Sequence, residues 1–472
     1  MKKRIFALAL SLAMMVSVFA GCGKKEETPT PTPTPASNNE VTNPITPEER
    51  GPQKIVMWHS MTNDAGVLMD QFVKEFNEGP GKELKIEVEA IYQGSYSDSS
   101  TKLRTVLQSE QYDQLPDLIQ VDATGIVDYQ NCEYAWTVDD AMKTDPDFDL
   151  SGYMAAAVKA WNYGGVQYGM PFPASTTVMY YNKTLLDAAG VTTAPTTFAE
   201  ITEASKKLPK TNADGQNLIA FAQIPNTPTL ANWIGQIPGK DANASYVVNN
   251  HNGRTGNATE LVCDTDGTLA TFLTGWKAMY DEGALVSLGS GLNDMFYAGQ
   301  MVFLTTSTSN LNTLLTDIGD RFELGCTYYP RINADCNYGA TISGATMCMF
   351  NVNDDAKASA AWDFMKYLMS PEVQARFSMG TGYFAVNNEA TELAEYKDFL
   401  ATYPQFQVGI DQINATSPDL MGVTVGPSRD FYLTIQDMVV AMLEDNQSVE
   451  DAVDEMSDVL NDMLYQYNLT NG

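Results

Sequence analysis

The residues that could support catalysis are few in this chain. The 472-residue sequence contains two histidines, His59 and His251, so neither a metal site with several histidine ligands nor a Ser-His-Asp triad has many candidates. The sequence also lacks a G-x-S-x-G nucleophile elbow and a G-x-x-x-x-G-K-[ST] phosphate loop. These features argue against two classes of protein, the serine hydrolases and the nucleotide hydrolases.

Acidic residues are abundant, and one acidic segment is similar to the start of a calcium loop. Asp264 and Asp266 precede Gly267 with the appropriate spacing, but the position that needs a bidentate glutamate is occupied by Gly275. Asp354 and Asp355 stand side by side without further ligand spacing. We therefore predict no metal and no cofactor. A secreted glycosidase that uses two carboxylates remains an alternative.

The overall charge excludes several classes of partner. Lys and Arg number 28 against 59 Asp and Glu, which gives a formal net charge of −31. Such a surface repels the phosphates of nucleic acids and anionic membrane faces. With 44% hydrophobic and 10% aromatic residues, the chain has enough apolar material for two or three globular domains.

The first residues have the pattern of an export signal. Three basic residues at positions 2–4 precede an uncharged apolar run at 5–20, and small residues lead to Cys22. The segment 19–22 (FAGC) resembles the lipobox of bacterial lipoproteins. We predict a lipoprotein signal peptide at residues 1–21 and a diacylglycerol on Cys22. A plain secretory signal or an uncleaved anchor is the alternative.

A Thr/Pro-rich tether is predicted for residues 22–52. Alternating threonine and proline at 28–35 favour an extended polyproline II spacer, so the folded part is expected to begin near Gln53. Without Cys22, an odd number of cysteines remains, which argues against a dense disulfide framework. Cys326 and Cys336 either form a disulfide or are buried separately.

The body alternates between strand and helix patterns, which predicts mostly parallel sheets with helices on both faces. Residues 84–90 alternate strictly as in a half-exposed strand, and residues 269–282 have apolar positions at helical spacing. Trp58 lies at the carboxyl end of the first predicted strand, where open α/β sheets bind ligands. It is either a stacking platform or a core residue, and Trp161 and Trp233 are weaker candidates. The other predicted strands are 54–58, 118–121, 178–181, 301–305 and 345–350, and the other predicted helices are 64–77, 101–109, 184–189, 197–208, 356–369, 431–443 and 449–467.

Four motifs resemble those of family 1 extracellular solute-binding proteins of ABC importers, in the order of that family. Residues 168–172 (YGMPF) and 178–186 (VMYYNKTLL) are similar to its "YG-P … YYNK-LL" signature. The later motifs are 296–301 (FYAGQM), 343–345 (SGA), and the stretch that includes 370–372 (SPE) and 381–386 (TGYFAV). Residues 58–61 (WHSM) and 93–96 (QGSY) resemble the glycerol-3-phosphate-binding type of this family.

The resemblance implies an α/β fold of two lobes with a ligand cleft between them. On its pattern we expect residues 53–174 and 308–342 in the first lobe, and residues 175–307 and 343–472 in the second. The chain would cross between lobes near residues 174–175, 306–307 and 342–343.

The resemblance also implies ligand contacts. It places Tyr96, Ser175, Ser307, Gly344 and Tyr383 at the ligand. Serines at lobe crossings supply donors and acceptors to a hydroxyl-rich ligand, and a glycine allows a backbone N–H to approach it. Tyrosines can stack on a sugar or polyol face and donate through the hydroxyl. The alternative is that the tyrosines fill the core and the serines form turns.

Two positions depart from the glycerol-3-phosphate pattern. The acidic residue expected on the glycerol hydroxyls aligns with Ala123, although Asp122 is adjacent, and the arginine expected on the phosphate aligns with Tyr432, although Arg429 lies one helical turn earlier. Arginine is the natural bidentate partner of phosphate. We therefore expect a neutral carbohydrate, with sn-glycerol 3-phosphate or a glycerophosphodiester as the alternative in which Asp122 and Arg429 substitute.

The sequence thus predicts a binding protein and not an enzyme. It would be a monomeric, lipid-anchored receptor on the outer face of the cell membrane that delivers a solute to an ABC permease by lobe closure, and it would not bind nucleic acid. A secreted carbohydrate-active enzyme and a surface adhesin are the alternatives from other classes.

Overall fold

The computed structural model describes residues 45–123 and 125–471. The predicted signal peptide, Cys22 and most of the predicted tether lie outside the described residues. The strands of the described part are β1 (Gln53–His59), β2 (Ile86–Tyr92), β3 (Leu118–Val121), β4 (Ala135–Trp136), β5 (Asn162–Tyr163), β6 (Val166–Gln167), β7 (Met170–Asn182), β8 (Ile219–Ala222), β9 (Leu285–Val286), β10 (Met301–Ser307), β11 (Leu324–Thr327) and β12 (Ile342–Phe350).

Helices cover both faces of the sheet. They are α1 (Pro47–Arg50), α2 (Asn63–Glu78), α3 (Pro80–Leu84), α4 (Tyr96–Gln108), α5 (Ile126–Gln130), α6 (Val138–Thr144), α7 (Ala155–Lys159), α8 (Lys183–Ala188), α9 (Phe198–Ser205), α10 (Thr227–Gln236), α11 (Asn249–Gly253), α12 (Thr268–Asp281), α13 (Leu292–Tyr297), α14 (Leu311–Ile318), α15 (Asp355–Leu368), α16 (Pro371–Thr381), α17 (Ala394–Thr402), α18 (Pro404–Ala415), α19 (Ser428–Glu444) and α20 (Val449–Asn471). No helix among the described residues is long and apolar enough to cross a bilayer.

The first half of the fold is built on the parallel strands β2, β1 and β3. β1 pairs with β2 on one side and with β3 on the other. Alternate β1 residues Ile55 and Met57 are fully buried and pack with Phe72 and Phe76 of α2. Because parallel strands end at one edge of the sheet, the carboxyl ends of β1, β2 and β3 lie together. Tyr96 begins the helix that follows β2, and Asp122 directly follows β3.

The second half is built on the parallel strands β10, β8 and β9. β8 lies between β10 and β9 and pairs with both in parallel register. Its principal core contains Trp233 of α10 and Phe272 and Trp276 of α12, all fully buried. Both β8 and β10 end at the same edge, so the residues after Ser307 lie at the carboxyl ends of this half.

The strands β7 and β12 join the halves. The first part of β7 pairs with β12, and the second part pairs with β10 and β11. β12 also pairs with β3. In the main sheet, every antiparallel ladder involves β7 or β12, and every parallel ladder lies within one half. The predicted fold class, two α/β halves with a parallel sheet in each, is confirmed.

The predicted lobe boundaries differ from this packing in two segments. Residues 308–342 were expected in the first lobe, but Leu311, Leu314 and Ile318 of α14 pack with Val178 and Leu304 of the second half. The physical reason is the turn after β10. The Ser307 side chain accepts a hydrogen bond from the Ser309 N–H and starts a 3₁₀ turn, which leads directly into α14 on the same half.

Residues 343–386 belong with the first half and not with the second. β12 is paired with β3, and Phe364 of α15 and Phe377 of α16 share a core with Met57. The chain therefore returns to the first half at residues 342–343, whereas residues 306–307 are not a crossing.

The folded part begins before Gln53. Thr46 caps α1 in a capping box with Glu49. The Arg50 side chain is fully buried, and its guanidinium lies 2.7 Å from a carboxylate oxygen of Asp363 on α15. A buried charge must be paired, and Asp363 pairs the charge of Arg50. The last residues of the predicted tether are therefore part of the first half.

The cysteines are unpaired in the described part of the chain. Cys326 and Cys336 are both free thiols, as are Cys132, Cys263 and Cys348. Cys336 is buried and Cys326 lies on β11. Of the two alternatives for Cys326 and Cys336, the one without a disulfide therefore holds.

Candidate functional site

Tyr96, Asp122 and Tyr383 come together at the carboxyl edge of the first half. Tyr96 is the first residue of α4, placed there by a capping box between Ser95 and Asp98. Burial raises the pKa of Tyr96, and the neighbouring Tyr383 and Asp122 raise it further. The Tyr96 phenol is therefore a neutral hydrogen-bond donor at every physiological pH.

Tyr383 links this edge to the second half. Its phenol contacts the Ser309 side chain, and Ser309 Oγ lies 2.9 Å from Ser307 Oγ. Burial raises the pKa of Tyr383, and the contact with Ser309 partly offsets this effect. We refer to Tyr96, Asp122, Ser307, Ser309 and Tyr383 as the polar cluster. It combines four hydroxyls and one carboxylate from both halves.

Gly382 allows Tyr383 to approach Ser309. It ends α16 with a φ of 93°, and a Cβ at this position would lie 2.7 Å from the Thr308 carbonyl oxygen. Only glycine fits this left-handed and crowded position without strain. The Thr-Gly-Tyr motif therefore places Tyr383 against the turn that carries Ser307 and Ser309.

Asp122 follows β3 and accepts a hydrogen bond from the Gly125 N–H at 3.0 Å. It also lies near Tyr163, whose pKa is raised mainly by burial and to a small extent by the charge of Asp122. Each oxygen of a carboxylate can accept more than one hydrogen bond. Asp122 is therefore suited to accept ligand hydroxyls beside Tyr96.

Ser175 and Gly344 lie on the joining strands. Ser175 on β7 is 2% exposed and pairs with Ser343, while Gly344 pairs with Ala174. Gly344 has a φ of 107°, and a Cβ would lie 2.1 Å from the Pro173 carbonyl oxygen. Strand packing alone therefore requires glycine at residue 344. The ligand roles of Ser175 and Gly344 stay predictions.

Arg429 is found in a different group. Its guanidinium carbon lies 5.3 Å from the ring centre of Tyr432, and the Tyr432 hydroxyl accepts a hydrogen bond of 3.0 Å from the Asn226 amide. We refer to these three residues as the Arg429 group. Arg429 is exposed to solvent on the first turn of α19. Its contact is therefore with the ring of Tyr432.

The tryptophans proposed as stacking platforms are core residues. Trp58 is 5% exposed, and Lys102 Nζ lies over its ring at 3.9 Å from the ring centre. Trp233 is fully buried and stacks between Phe272 and Tyr329. Trp161 is 3% exposed. The core alternative is correct for these three rings, because no broad ring face is left for a ligand.

The sequence analysis missed Ser309 and Arg254. Ser309 is one of several hydroxyl residues in the run 305–309 (TTSTS) after β10, and that polar run was the signal available. Arg254 is buried, and its guanidinium lies 4.4 Å from the ring centre of Tyr163. Nothing in the local sequence around Arg254 indicated burial.

Arg254 takes part in a contact between the halves. It donates to the carbonyl of Ala160, and the Gly164 N–H donates to the Arg254 carbonyl at 3.0 Å. Beside it, Lys159 forms an ion pair of 3.0 Å with Asp419. These bonds hold the hairpin of β5 and β6 against the second half, next to Tyr163 and Asp122.

The acidic segment at 264–267 has structural roles. Asp264 accepts a hydrogen bond from the Ser457 hydroxyl, and Asp266 accepts one from the Thr268 N–H at 2.9 Å at the start of α12. Within the described ranges, no group of three or more His, Cys, Asp or Glu residues is arranged to hold a metal ion.

Comparison with known proteins agrees with this fold. The profile of bacterial extracellular solute-binding proteins matches residues 71–407. The chain belongs to that family, and it is a solute-binding protein of the ABC importer type. The family resemblance drawn from the sequence motifs is therefore confirmed.

Three proteins that are similar to this chain have names that mention different ligands. The sn-glycerol-3-phosphate-binding periplasmic protein UgpB of Agrobacterium fabrum is 26% identical over 418 residues, which cover 85% of this chain and 90% of that protein. The cyclic α-maltosyl-1,6-maltose binding protein of Arthrobacter globiformis has a TM-score of 0.70 at 20% identity and covers 88% of this chain and 99% of its own. UgpB of Mycobacterium tuberculosis, in complex with glycerophosphocholine, has a TM-score of 0.66 at 18% identity and covers 89% and 100%.

Proposed function

We propose that this protein captures a carbohydrate outside the cell and delivers it to the permease of an ABC importer. The observation that carries the proposal is the polar cluster, in which Tyr96, Asp122 and Tyr383 of the first half meet Ser307 and Ser309 of the second. Sugar hydroxyls need neutral donors and acceptors of this kind, and a carboxylate accepts from two hydroxyls at once.

Delivery would follow from closure of the two halves around the sugar. A ligand that bonds to Tyr96 and Asp122 on one side and to Ser307 and Ser309 on the other has all its contacts only in the closed state. Binding therefore shifts the population toward that state. The permease would recognise the closed surface, and its ATPase would supply the energy.

The alternative ligand is sn-glycerol 3-phosphate or a glycerophosphodiester. The name of the Agrobacterium relative favours it. Arg429 is exposed beside the ring of Tyr432, so its guanidinium is accessible to a phosphate. We rank this alternative second because the polar cluster contains the carboxylate of Asp122 and no cation.

The experiment is a thermal-shift screen followed by calorimetry on the purified protein. The ligands are neutral mono- and oligosaccharides, sn-glycerol 3-phosphate and glycerophosphocholine. A ligand at 100 times its dissociation constant stabilises the folded state by about 2.7 kcal/mol, which such a screen detects. We expect stabilisation by a neutral sugar. Binding of glycerol phosphates alone would establish the alternative, and steady hydrolysis of a glycoside would contradict both.

We also propose that Cys22 carries a lipid that anchors the receptor to the outer face of the cell membrane. The support is the apolar run followed by Ala20, Gly21 and Cys22. In the native host, Cys22→Ser is expected to release the protein into the medium or to stall its processing. Normal processing and unchanged membrane retention of the variant would contradict lipid attachment.

A further inference from the structure

A small cavity lies between the two halves. Its volume is about 20 Å³, and a cavity needs at least about 10–15 Å³ to hold one water-sized particle. It is lined by the end of α7 in the first half, by residues 340–342 at the start of β12, and by Arg254 with residues 416–418 and 420–422. The last of these segments belongs with the second half, because the Asn252 amide donates to the Met421 carbonyl at 2.9 Å. An occupant of the cavity therefore contacts both halves.

The charged side chains that line the cavity are both cations. They are Lys159 and Arg254, although acids outnumber Lys and Arg by 59 to 28 in the whole chain. Asp419 pairs with Lys159 at 3.0 Å, but it is not one of the described residues that line the cavity. The two cations and this one acid together leave a single positive charge.

Arg254 holds this charge in a buried position. The residue is 8% exposed, and its guanidinium donates to the carbonyl oxygens of Ala160 and, at 3.3 Å, of Gly422. Carbonyl groups carry no net charge, so these bonds do not neutralise the guanidinium. The ring of Tyr163, 4.4 Å away, offsets only part of the cost of removing the charge from water. Because a buried charge is costly unless it is paired, the cavity favours an occupant with one negative charge.

The polar groups at the cavity can all donate to an anion. The Ser417 hydroxyl accepts a hydrogen bond of 3.2 Å from the Asp419 N–H, and it still has its own hydrogen to donate. A guanidinium and an ammonium are donors only, and their bonds to an anion are charge-assisted. The volume of the cavity admits a monatomic ion but not a sulfate or a phosphate, in which four oxygens surround the central atom.

We propose that this cavity binds a single halide ion, chloride in a natural medium, between Arg254, Lys159 and Ser417. The ion cancels the remaining positive charge. It also connects α7 of the first half to the segment around Ser417 of the second, so it stabilises the contact between the halves. The site does not depend on which solute the protein carries.

Thermal unfolding of the purified protein tests the site. The Tm is measured in sodium chloride and in sodium methanesulfonate at equal ionic strength, because methanesulfonate has the same charge but is too large for the cavity. We expect the Tm in chloride to be higher by about 2 °C and to level off as the chloride concentration rises. Bromide should replace chloride. Equal Tm values in chloride and methanesulfonate would overturn the proposal.

Arg254→Met removes the buried charge and should abolish the difference between the two salts. The matched control is Arg331→Met, since the Arg331 guanidinium also packs on a tyrosine ring, 4.0 Å from the ring centre of Tyr338, and donates to the carbonyls of Ala334 and Cys336. This control should keep the full chloride effect. A chloride effect that survives Arg254→Met would overturn the assignment to this cavity.

Crystals of the unsubstituted protein grown in bromide provide a second measurement, which decides the question if Arg254→Met does not fold. Anomalous diffraction is expected to show a bromide peak between Arg254 and Lys159. A cavity that holds only water gives no anomalous peak, and that result would overturn the halide site.

Discussion

The polar cluster and the Arg429 group use tyrosine in opposite ways. In the polar cluster, burial keeps Tyr96 and Tyr383 neutral, and their hydroxyls face the opposite half or an acid. In the Arg429 group, Tyr432 presents its ring face to an exposed guanidinium and its hydroxyl to Asn226. The first arrangement suits a ligand rich in hydroxyls, whereas the second suits an anion that stays partly hydrated.

The difference follows from the cost of burying charge. A phosphate taken out of water needs charge-assisted bonds to a buried cation. The polar cluster contains a carboxylate and hydroxyls, so it would repel a phosphate and favour neutral hydroxyls. Arg429 is exposed, and ions in solution screen its attraction for an anion beyond about 8 Å at physiological ionic strength. We therefore expect substitutions in the polar cluster to weaken sugar binding strongly and a substitution of Arg429 to change it little.

Tyr383→Ala should have the largest effect on sugar binding. The loss of an aromatic contact and a hydrogen bond is expected to weaken binding by about 1–3 kcal/mol. Isothermal calorimetry measures this loss, and circular dichroism checks the fold. The matched control is Tyr465→Ala on the exposed face of α20. Unchanged affinity would remove Tyr383 from the site.

Asp122→Asn should have the next largest effect. Asparagine keeps an oxygen that can accept from the Gly125 N–H, so the turn is preserved while the charge is lost. Charged acceptors bind hydroxyls roughly twice as strongly as neutral ones, so sugar affinity is expected to fall about tenfold. Asp113→Asn, an exposed acid of the same half, controls for net charge. Tighter sugar binding by Asp122→Asn would show that the carboxylate is not a sugar acceptor.

The dependence of sugar binding on pH should be smaller still. The folded-state pKa values of Tyr96 and Tyr383 are raised, so both phenols stay protonated, and affinity should change by less than about twofold between about pH 6 and pH 9. The pKa of each phenol is higher in the folded than in the unfolded chain, so the two phenols contribute to the free energy of unfolding. This contribution is fully present below about pH 10 and is lost as the pH rises through the folded-state pKa. Calorimetry across this range is the measurement. A steep loss of affinity near neutral pH would mean that another group controls binding.

Arg429→Ala should have the smallest effect on sugar binding, within about a factor of two. If instead sn-glycerol 3-phosphate binds and its affinity collapses in this variant, the Arg429 group holds the phosphate and the carbohydrate proposal is wrong. Arg321→Ala provides a control, since Arg321 is an exposed arginine of the second half that donates to the Tyr297 carbonyl.

Local periodicity was sufficient to find most of the secondary structure. β3 was predicted at its observed bounds, and the predicted helix at 269–282 agrees with α12 within one residue at each end. The predicted helix at 197–208 corresponds to α9, which Thr197 caps by accepting a hydrogen bond from the Glu200 N–H. These features depend on residues close in sequence, so the pattern contains them.

The assignment of segments to halves was beyond local reasoning. α14 and β12 have apolar faces that would fit either half, and the choice depends on the 3₁₀ turn after Ser307 and on the pairing of β12 with β3. Trp233 illustrates the same limit. Its exposure depends on Phe272 and Tyr329, which are distant in sequence and contact it only in the folded chain.

The sequence by itself determined the fold class and the family, because strand and helix periods and the ordered motifs around residues 168–186 and 381–386 are written in consecutive residues. It also supplied Tyr96, Asp122, Ser307 and Tyr383 through the family resemblance. Only the tertiary structure decided that these residues meet, that Ser309 joins them and that Arg429 contacts Tyr432. The physical reason is that a binding site depends on distances between residues hundreds of positions apart, and packing of the two halves sets those distances.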